Sequence, residues 1–274
     1  MLNKNGHWSP DDIAWEQFDP SRVDSDILAV IRAASLVERN SADYVAYLKR
    51  VISDDPEFRA AAEQWGHEEH QHGIVLGRWA EMADPDFDFE TAFRRFTEGY
   101  RIPVDAEASV RGSRAGEMVA RCVVEAGTSS FYAALRDATE EPVLKDICNR
   151  ISKDEIRHYR MFQDYFQRYQ EREHLGRPRR AWIAATRFLE AEDDELSFAY
   201  YCANMPPEEA YDRSEAGRAY ARTALGCYRR DHLGKAVKLI LKAAGLPPHG
   251  RLGDLAFQAT WLFLKVRTRG QLAA

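Results

Sequence analysis

Apolar residues recur every three to four positions along most of the chain, a spacing typical of α-helices. The first stripe follows Asp24 or Ser25, either of which can cap a helix, and continues to about Ile52. The second begins at Asp55-Pro56, a typical start because aspartate caps the helix and proline fits its first turn. The pattern therefore predicts four long helices, at about 25–52, 56–84, 113–139 and 142–174.

Shorter helical patterns fill the remainder of the chain, and no alternation typical of β-strands occurs. A short aromatic helix follows the second long helix, and residues 101–112, which contain Pro103 and Gly112, are predicted to be a connector. After Gly176, further helices are predicted at about 180–192, 194–204, 207–230, 233–244 and 252–268.

Each long helix places acidic or imidazole side chains on its apolar face, and these residues form an internal repeat. Glu69 and His72 make a Glu-x-x-His pair on one helix face, and Glu155 and His158 make a second. A lone glutamate precedes each pair: Glu38 lies 31 residues before Glu69, and Glu125 lies 30 residues before Glu155. Four-helix bundles build two-metal carboxylate sites from this set of residues.

The spacing also predicts how the helices pack. The spacing of about 30 residues between ligands leaves about 13 residues in each of two helices plus a short turn. The chain therefore returns to the same level of the bundle, so the first two helices form one antiparallel hairpin and the next two form another. We expect an all-α, ferritin-like four-helix bundle with an N-terminal extension in residues 1–175, and additional helices packed on the same domain in residues 176–274.

Four glutamates buried at one depth would repel each other unless cations lay between them. The pattern assigns Glu38, Glu69 and His72 to one metal ion and Glu125, Glu155 and His158 to the other, with some carboxylates bridging. Oxygen-rich ligands with one imidazole per ion favour two iron ions, or manganese, over structural zinc. The neighbouring residues fall on other faces of the helix, where we expect solvent exposure or a supporting role: His67, Glu68 and His70.

Charge is distributed unevenly along the chain, whose net charge is −6. Residues 1–175 hold 22 basic and 33 acidic residues, or −11, whereas residues 176–274 hold 16 and 11, or +5. The basic second part, including Arg177 to Arg180, is a candidate surface for an acidic partner, with ordinary surface charge as the alternative. No membrane-spanning run, secretory signal or Cys-x-x-Cys pair is evident, which favours a reduced cytoplasmic protein, and no nucleic-acid partner is expected.

Several motifs resemble those of the soluble acyl-carrier-protein desaturases. Trp-x-x-Glu-Glu-x-x-His-Gly at 65–73 looks like that family's second-helix motif, and Asp154-Glu155-Ile156-Arg157-His158 is similar to its Asp-Glu-x-Arg-His. Glu125 and Thr128 match the third-helix glutamate and the threonine after it, and residues 8–12 resemble an N-terminal Trp-x-Pro segment. The likeness spans about residues 8 to 165, and no matching motif occurs in the last 100 residues.

The resemblance implies O2 activation at a reduced di-iron centre, hydrogen abstraction from a methylene, and electrons from a ferredoxin-like donor. Thr128 is then a candidate proton carrier, although a hydroxyl bonded to its own helix carbonyl is an equal alternative. Asp154 is a candidate acceptor for the second ring N–H of a ligand histidine. Trp8 is a candidate for extending this aspartate–histidine contact toward the surface as an electron route, with an ordinary packing residue as the alternative. Trp15 is a second candidate for that position. We expect four aromatic residues to lie in the core: Phe131, Tyr132, Phe162 and Tyr165.

The favoured function is O2-dependent desaturation of a fatty-acyl chain, held as an acyl thioester or on acyl carrier protein, by a homodimer. Hydroxylation or N-oxygenation of a small molecule uses the same metals and is the first alternative. Ferroxidase or iron storage is a third hypothesis, which the extra helical third of the chain disfavours.

Overall fold

The structure, a computed structural model, describes residues 7–190 and 194–270. These residues form α-helices and short 3-10 turns, and no strand occurs among them, which confirms the all-α prediction. Three 3-10 turns precede the first helix, at Pro10–Asp12, Trp15–Gln17 and Pro20–Arg22. The bundle helices are α1 Ser25–Arg39, α2 Ser41–Val51, α3 Pro56–Ala83, α4 Phe89–Gly99, α5 Arg114–Ala138 and α6 Pro142–Glu173. The later helices are α7 Arg177–Leu189, α8 Asp194–Asn204, α9 Arg213–Gly226, α10 Arg230–Ala243 and α11 Gly250–Gly270.

Side-chain caps fix the starts of the long helices. The Asp24 carboxylate accepts hydrogen bonds from two amides in the first turn of α1, and Asp55 accepts one from the Phe58 amide at the start of α3. Ser113 and Glu141 do the same for α5 and α6. Such caps stabilise a helix by about 1 kcal/mol each, because the first amides have no partner within the helix.

The first long helix is interrupted, contrary to the prediction of one helix to about Ile52. Asn40, with φ −76° and ψ 17°, separates α1 from α2 directly after Glu38 and Arg39. Asparagine and serine are weak helix formers, and the Ser41 hydroxyl donates to the Gly66 carbonyl of α3, at 2.8 Å, rather than supporting its own helix. α3 also approaches closely here: a Cβ on Gly73 would lie 2.4 Å from the Arg39 nitrogen.

A second boundary differs from prediction after Pro206-Pro207, where a helix was expected. α9 begins only at Arg213, because the Asp212 carboxylate caps the amides of Ser214 and Glu215, at 2.8 and 3.0 Å.

Two hydrophobic clusters fill the bundle, and the predicted metal ligands lie where these clusters meet. On α3, Phe58 and Trp65 belong to one cluster, and Leu76 and Trp79 belong to the other. Glu69 and His72 lie between them in the sequence. The same order holds on α6, where Ile151 and Phe162 lie on either side of Glu155 and His158. The polar site therefore occupies the middle of the bundle.

The later helices cover the bundle on its α1 and α5 side. α8 packs on α1, and α7 and α10 pack on α5. Ile183 of α7 and Ala243 of α10 belong to the same buried cluster as Met118 and Cys122 of α5. None of the described helices is both long and apolar enough to cross a membrane.

Candidate metal centre

All six predicted ligands come together at the centre of the bundle, and they form two overlapping groups. One group is Glu38, Glu69, His72 and Glu155, and the other is Glu69, Glu125, Glu155 and His158; the ligand atoms of each group lie within 4.8 Å of one another. Each group thus contains the three residues assigned to it, together with one glutamate from the other half. Glu69 and Glu155 belong to both groups, so they are the carboxylates that could be shared by two bound ions.

The imidazole nitrogens that face the centre are the Nδ1 atoms. His72 Nδ1 lies 3.3 Å from Glu69 Oε2, 3.4 Å from Glu155 Oε1 and 3.7 Å from Glu38 Oε2. His158 Nδ1 lies 3.0 Å from Glu69 Oε1 and 3.5 Å from Glu125 Oε2. Both imidazoles therefore present one nitrogen toward the carboxylates and leave Nε2 for other contacts.

Three of these ligand atoms are buried without a hydrogen-bond partner: Glu125 Oε2, Glu155 Oε1 and His158 Nδ1. Leaving buried polar atoms unpaired costs about 1–3 kcal/mol each, and more for charged groups. The three atoms belong to a single ligand group, so one cation bound there would satisfy all of them. The residues present thus fit a metal ion, and the cluster can hold one.

Without a cation, burial and mutual repulsion push protons onto the site. Burial, and then the charge of Glu69, raise the pKa of Glu38 to about 8. Burial, and then the charge of Glu155, raise the pKa of Glu125 well above its usual range. Burial would lower the pKa of His72, but the surrounding carboxylates outweigh it and raise that pKa. Metal ions bind the deprotonated ligands, so binding must release protons.

A carboxylate of the opposite helix contacts the Nε2 atom of each ligand histidine. His72 Nε2, on α3, lies 3.1 Å from Asp154 Oδ2 of α6, and His158 Nε2, on α6, lies 3.0 Å from Glu68 Oε2 of α3. Asp154 directly precedes Glu155, as Glu68 directly precedes Glu69, so the two contacts repeat the internal symmetry. Such carboxylates fix the ring orientation and raise the basicity of the nitrogen that faces a metal.

Arg157 joins these two outer carboxylates. Its guanidinium bonds to Asp154 through Nη1 and to Glu68 through Nη2, the second contact at 2.8 Å. The pKa of Glu68 is lowered to about 2: burial would raise it, but hydrogen bonds from His158 and Gln64 and the nearby charges outweigh burial. Of the three residues flanking the motif, only Glu68 has this supporting role, since His67 and His70 are exposed.

The N-terminal segment closes the outer side of the site. Trp8 Nε1 donates to Asp154 Oδ2 at 2.6 Å, and its ring stacks on His72 with centroids 6.1 Å apart. His7 Nδ1 lies 3.0 Å from Glu68 Oε1, so neighbouring residues reach both outer carboxylates. Trp15 instead donates to the Pro10 carbonyl, at 2.9 Å. Trp8, rather than Trp15, is therefore the tryptophan that contacts the Asp154–His72 pair.

Two hydroxyls of α5 bond directly to ligand carboxylates. Thr128 Oγ1 lies 2.5 Å from Glu155 Oε2 and 3.2 Å from the carbonyls of Val124 and Glu125, so the expected bond to its own helix is present together with a contact to a candidate ligand, and the proton-carrier role stays a prediction. Tyr132 Oη donates to Glu38 Oε1 at 2.5 Å. Tyr132 was expected only as a core residue. Its position seven residues, or two turns, after Glu125 is the sequence signal that places it beside the site.

A cavity of about 460 Å³ opens from the carboxylates between the bundle and the later helices. The four ligand glutamates and Thr128 form one end, and the remaining wall is mainly apolar. Phe131 and Tyr132 line this cavity, contrary to the expectation that they lie only in the core, whereas Phe162 packs on Trp65 with centroids 5.6 Å apart. The wall also includes Phe263, which is 40% exposed, so the cavity reaches the surface.

Polar residues interrupt the apolar wall at one place. Tyr44 Oη donates to Glu195 Oε2 at 2.5 Å, and the guanidinium of Arg121 lies over the Tyr44 ring at 5.0 Å. Arg121 Nε also lies 3.3 Å from Glu117 Oε1. A substrate in this cavity would meet both apolar side chains and this charged, hydrogen-bonding cluster, whose Arg121 lies one turn before Glu125 on α5.

Part of the basic segment proposed as a docking surface is engaged with the fold itself. Arg180 donates to the Ala243 carbonyl at 2.9 Å and lies over the Phe166 ring at 4.3 Å, which ties α7 to α10 and α6. Arg179 lies 3.4 Å from the Arg111 carbonyl.

The fold and site define a class: an all-α bundle with a buried glutamate–histidine cluster that can hold metal. No family model matches the chain, and no curated protein matches it either.

Proposed function

We propose that the protein is an O2-dependent di-iron oxidoreductase that oxidises an acyl chain, most readily to an alkene. The observation that carries the proposal is the apolar cavity that ends on all four ligand glutamates and Thr128. Its volume of about 460 Å³ is that of a small-molecule site. Two iron ions in the overlapping groups would supply O2 activation and oxidation of an unactivated C–H bond.

The residues around the cavity fit the requirements of this chemistry. The apolar wall excludes water from the reacting bond, so that the oxidant meets substrate first. Thr128 Oγ1, at 2.5 Å from Glu155 Oε2, can pass a proton at that oxygen. Trp8, Asp154 and His72 form a hydrogen-bonded path by which electrons from a ferredoxin-like donor can reach the site. Desaturation balances when O2, two electrons and two protons remove two hydrogen atoms and give two waters.

A second candidate keeps the metals and changes the substrate. The cluster of Tyr44, Arg121 and Glu195 in the cavity wall favours a small molecule with a polar or charged group. Hydroxylation or N-oxygenation of such a compound would use the same centre.

Product analysis separates these functions. The full chain, reconstituted anaerobically with ferrous iron, is supplied with O2, ferredoxin, its reductase, and acyl thioesters of acyl carrier protein and coenzyme A. We expect mass spectrometry to show loss of two hydrogen atoms from an acyl chain, and Glu125→Ala to show no product. If every acyl substrate is unchanged while an amine or aromatic compound gains oxygen, the second candidate replaces the first.

A matched pair of variants tests the role of Thr128. Thr128→Val removes the hydroxyl that contacts Glu155, whereas Ser41→Ala removes one three residues after Glu38 that donates to the Gly66 carbonyl. Both variants should retain two iron ions, but only Thr128→Val should raise O2 consumed per product formed. Equal coupling in the two variants would contradict a proton-transfer role.

A further inference from the structure

The last helix, α11, has apolar side chains on two opposite faces. Its inner face packs on α10 and the cavity through Phe257, Trp261 and Leu264. Its outer face carries five apolar side chains that are 40–68% exposed, and at 3.6 residues per turn they fall within an arc of about 100°. These five residues, which we call the outer arc, are Leu252, Leu255, Leu262, Phe263 and Val266. A contiguous exposed apolar face of this kind marks an interaction site.

The charges around the outer arc indicate an anionic occupant. Residues 250–270 contain four basic residues and one acidic residue, and residues 230–243 of the adjoining α10 likewise contain four basic residues and one acidic residue. A second copy of the chain, paired face to face, would bring these positive charges together at a cost. A helix with an apolar face flanked by arginine and lysine is typical of segments that lie in the interface of an anionic bilayer.

The outer arc is also continuous with the cavity mouth. Phe263 belongs to the arc and lines the cavity, and its ring lies 6.3 Å from that of Phe188, another lining residue. Thr260 and Arg267, on the same helix, line the cavity as well. An apolar surface that contacts α11 would therefore also adjoin the opening of the cavity. A lipid surface is apolar over this whole area, whereas a charged protein surface is not.

We propose that α11 docks the protein on an anionic lipid surface, with the outer arc in the headgroup–acyl boundary and the cavity mouth facing the lipid. An acyl chain could then enter the cavity without crossing water. That consequence rests on the proposed function, whereas the docking rests on the surface of α11 and its surroundings and requires no catalytic activity.

Vesicle sedimentation of the full chain tests the docking. The protein should sediment with vesicles of equimolar phosphatidylcholine and phosphatidylglycerol, more weakly with phosphatidylcholine alone, and less as salt is added. Leu262→Gln/Val266→Gln should lower the partition coefficient by roughly tenfold or more, because two apolar anchors are lost. Arg251→Gln should lower it roughly fivefold.

The matched control is Val104→Gln/Val110→Gln, which changes exposed apolar residues of the connector between α4 and α5 and should bind as the wild type does. Absence of vesicle binding by the wild type, or equal loss in the control, overturns the proposal. A dimer that the outer-arc variant converts to a monomer, or capture of acyl carrier protein in place of vesicles, overturns it also. Because sedimentation needs no turnover, a protein that binds vesicles yet oxidises no acyl substrate would refute the proposed function alone.

Discussion

The two halves of the candidate metal centre carry the same glutamate and histidine residues but surround them differently. In the second half, α5 runs unbroken through Glu125, and Thr128, three residues later, bonds to Glu155. In the first half, the helix breaks after Glu38, and the equivalent Ser41 bonds to a backbone carbonyl of α3. Both hydroxyls that contact ligand carboxylates therefore come from α5, the helix that forms part of the cavity wall.

This difference shows that the site has two distinct sides. The cavity lining includes the four glutamates, whereas the histidines are backed by Asp154 and Glu68 and covered by His7 and Trp8. The repeat thus supplies a nearly symmetric set of glutamates and histidines, and the segments outside the repeat leave one side facing the cavity and the other covered and hydrogen-bonded.

The sharing of two carboxylates predicts the largest difference among the ligand variants. Glu69→Ala or Glu155→Ala removes a ligand from both groups, whereas Glu38→Ala affects only the group of His72. We expect the first two variants to lose both ions and Glu38→Ala to retain one, measured as iron per chain after anaerobic reconstitution. The holo-protein melting temperature should fall in the same order, because bound metal stabilises the native state. Equal losses in all three variants would show that the groups do not overlap in solution.

Loss of an outer carboxylate, Asp154 or Glu68, should reduce metal affinity less than loss of a ligand does. The two losses should affect opposite halves of the site. Asp154→Asn weakens the support of His72, and Glu68→Gln weakens that of His158. Each should lower metal affinity about 10–100-fold, the usual effect of removing such a partner. The exposed Asp164 of α6 provides the control Asp164→Asn, which should leave anaerobic metal titrations unchanged. A comparable loss in that variant would assign the effect to surface charge.

Metal uptake should depend on pH because protons compete with metal ions for the carboxylates. The pKa of Glu38 is raised to about 8, so below that pH its carboxyl is protonated and a metal ion must displace the proton. Affinity should therefore rise as pH rises toward 8, about tenfold per pH unit for each proton displaced. Titrations in buffers of different ionisation enthalpy would count the protons released. An affinity that is constant between neutral pH and pH 8 would contradict the raised pKa.

The sequence predicted the ligands because helical spacing alone puts Glu69 beside His72 and Glu155 beside His158 on one face. It also identified Asp154, through a resemblance, whereas for Glu68, one residue before the other ligand glutamate, it left solvent exposure and a supporting role both open. The break at Asn40 was missed because the apolar spacing continues across it, and spacing does not report a close approach such as that of Gly73. His7 has no local signal at all, since its contact depends on how the N-terminal segment folds back over α3 and α6.

Tyr132 gives the finest test of the difference between the halves. It lies seven residues after Glu125 yet donates to Glu38 of the other half, and the equivalent position in the first half is the apolar Val45. Tyr132→Phe should weaken only the group of Glu38, roughly fivefold, since one hydrogen bond contributes about 1 kcal/mol. The weaker step should appear in an anaerobic ferrous titration that resolves two binding events.

Tyr220→Phe is the matched control, because Tyr220 lines the same cavity and no hydrogen bond to a ligand is present for it among the described residues. If both tyrosine variants weaken binding alike, the effect comes from cavity polarity rather than from the bond to Glu38. If neither changes, the phenol contributes nothing to holding the carboxylate in the first half. A selective loss in Tyr132→Phe would instead show that α5 supports ligands of both halves, which is the physical basis of their difference.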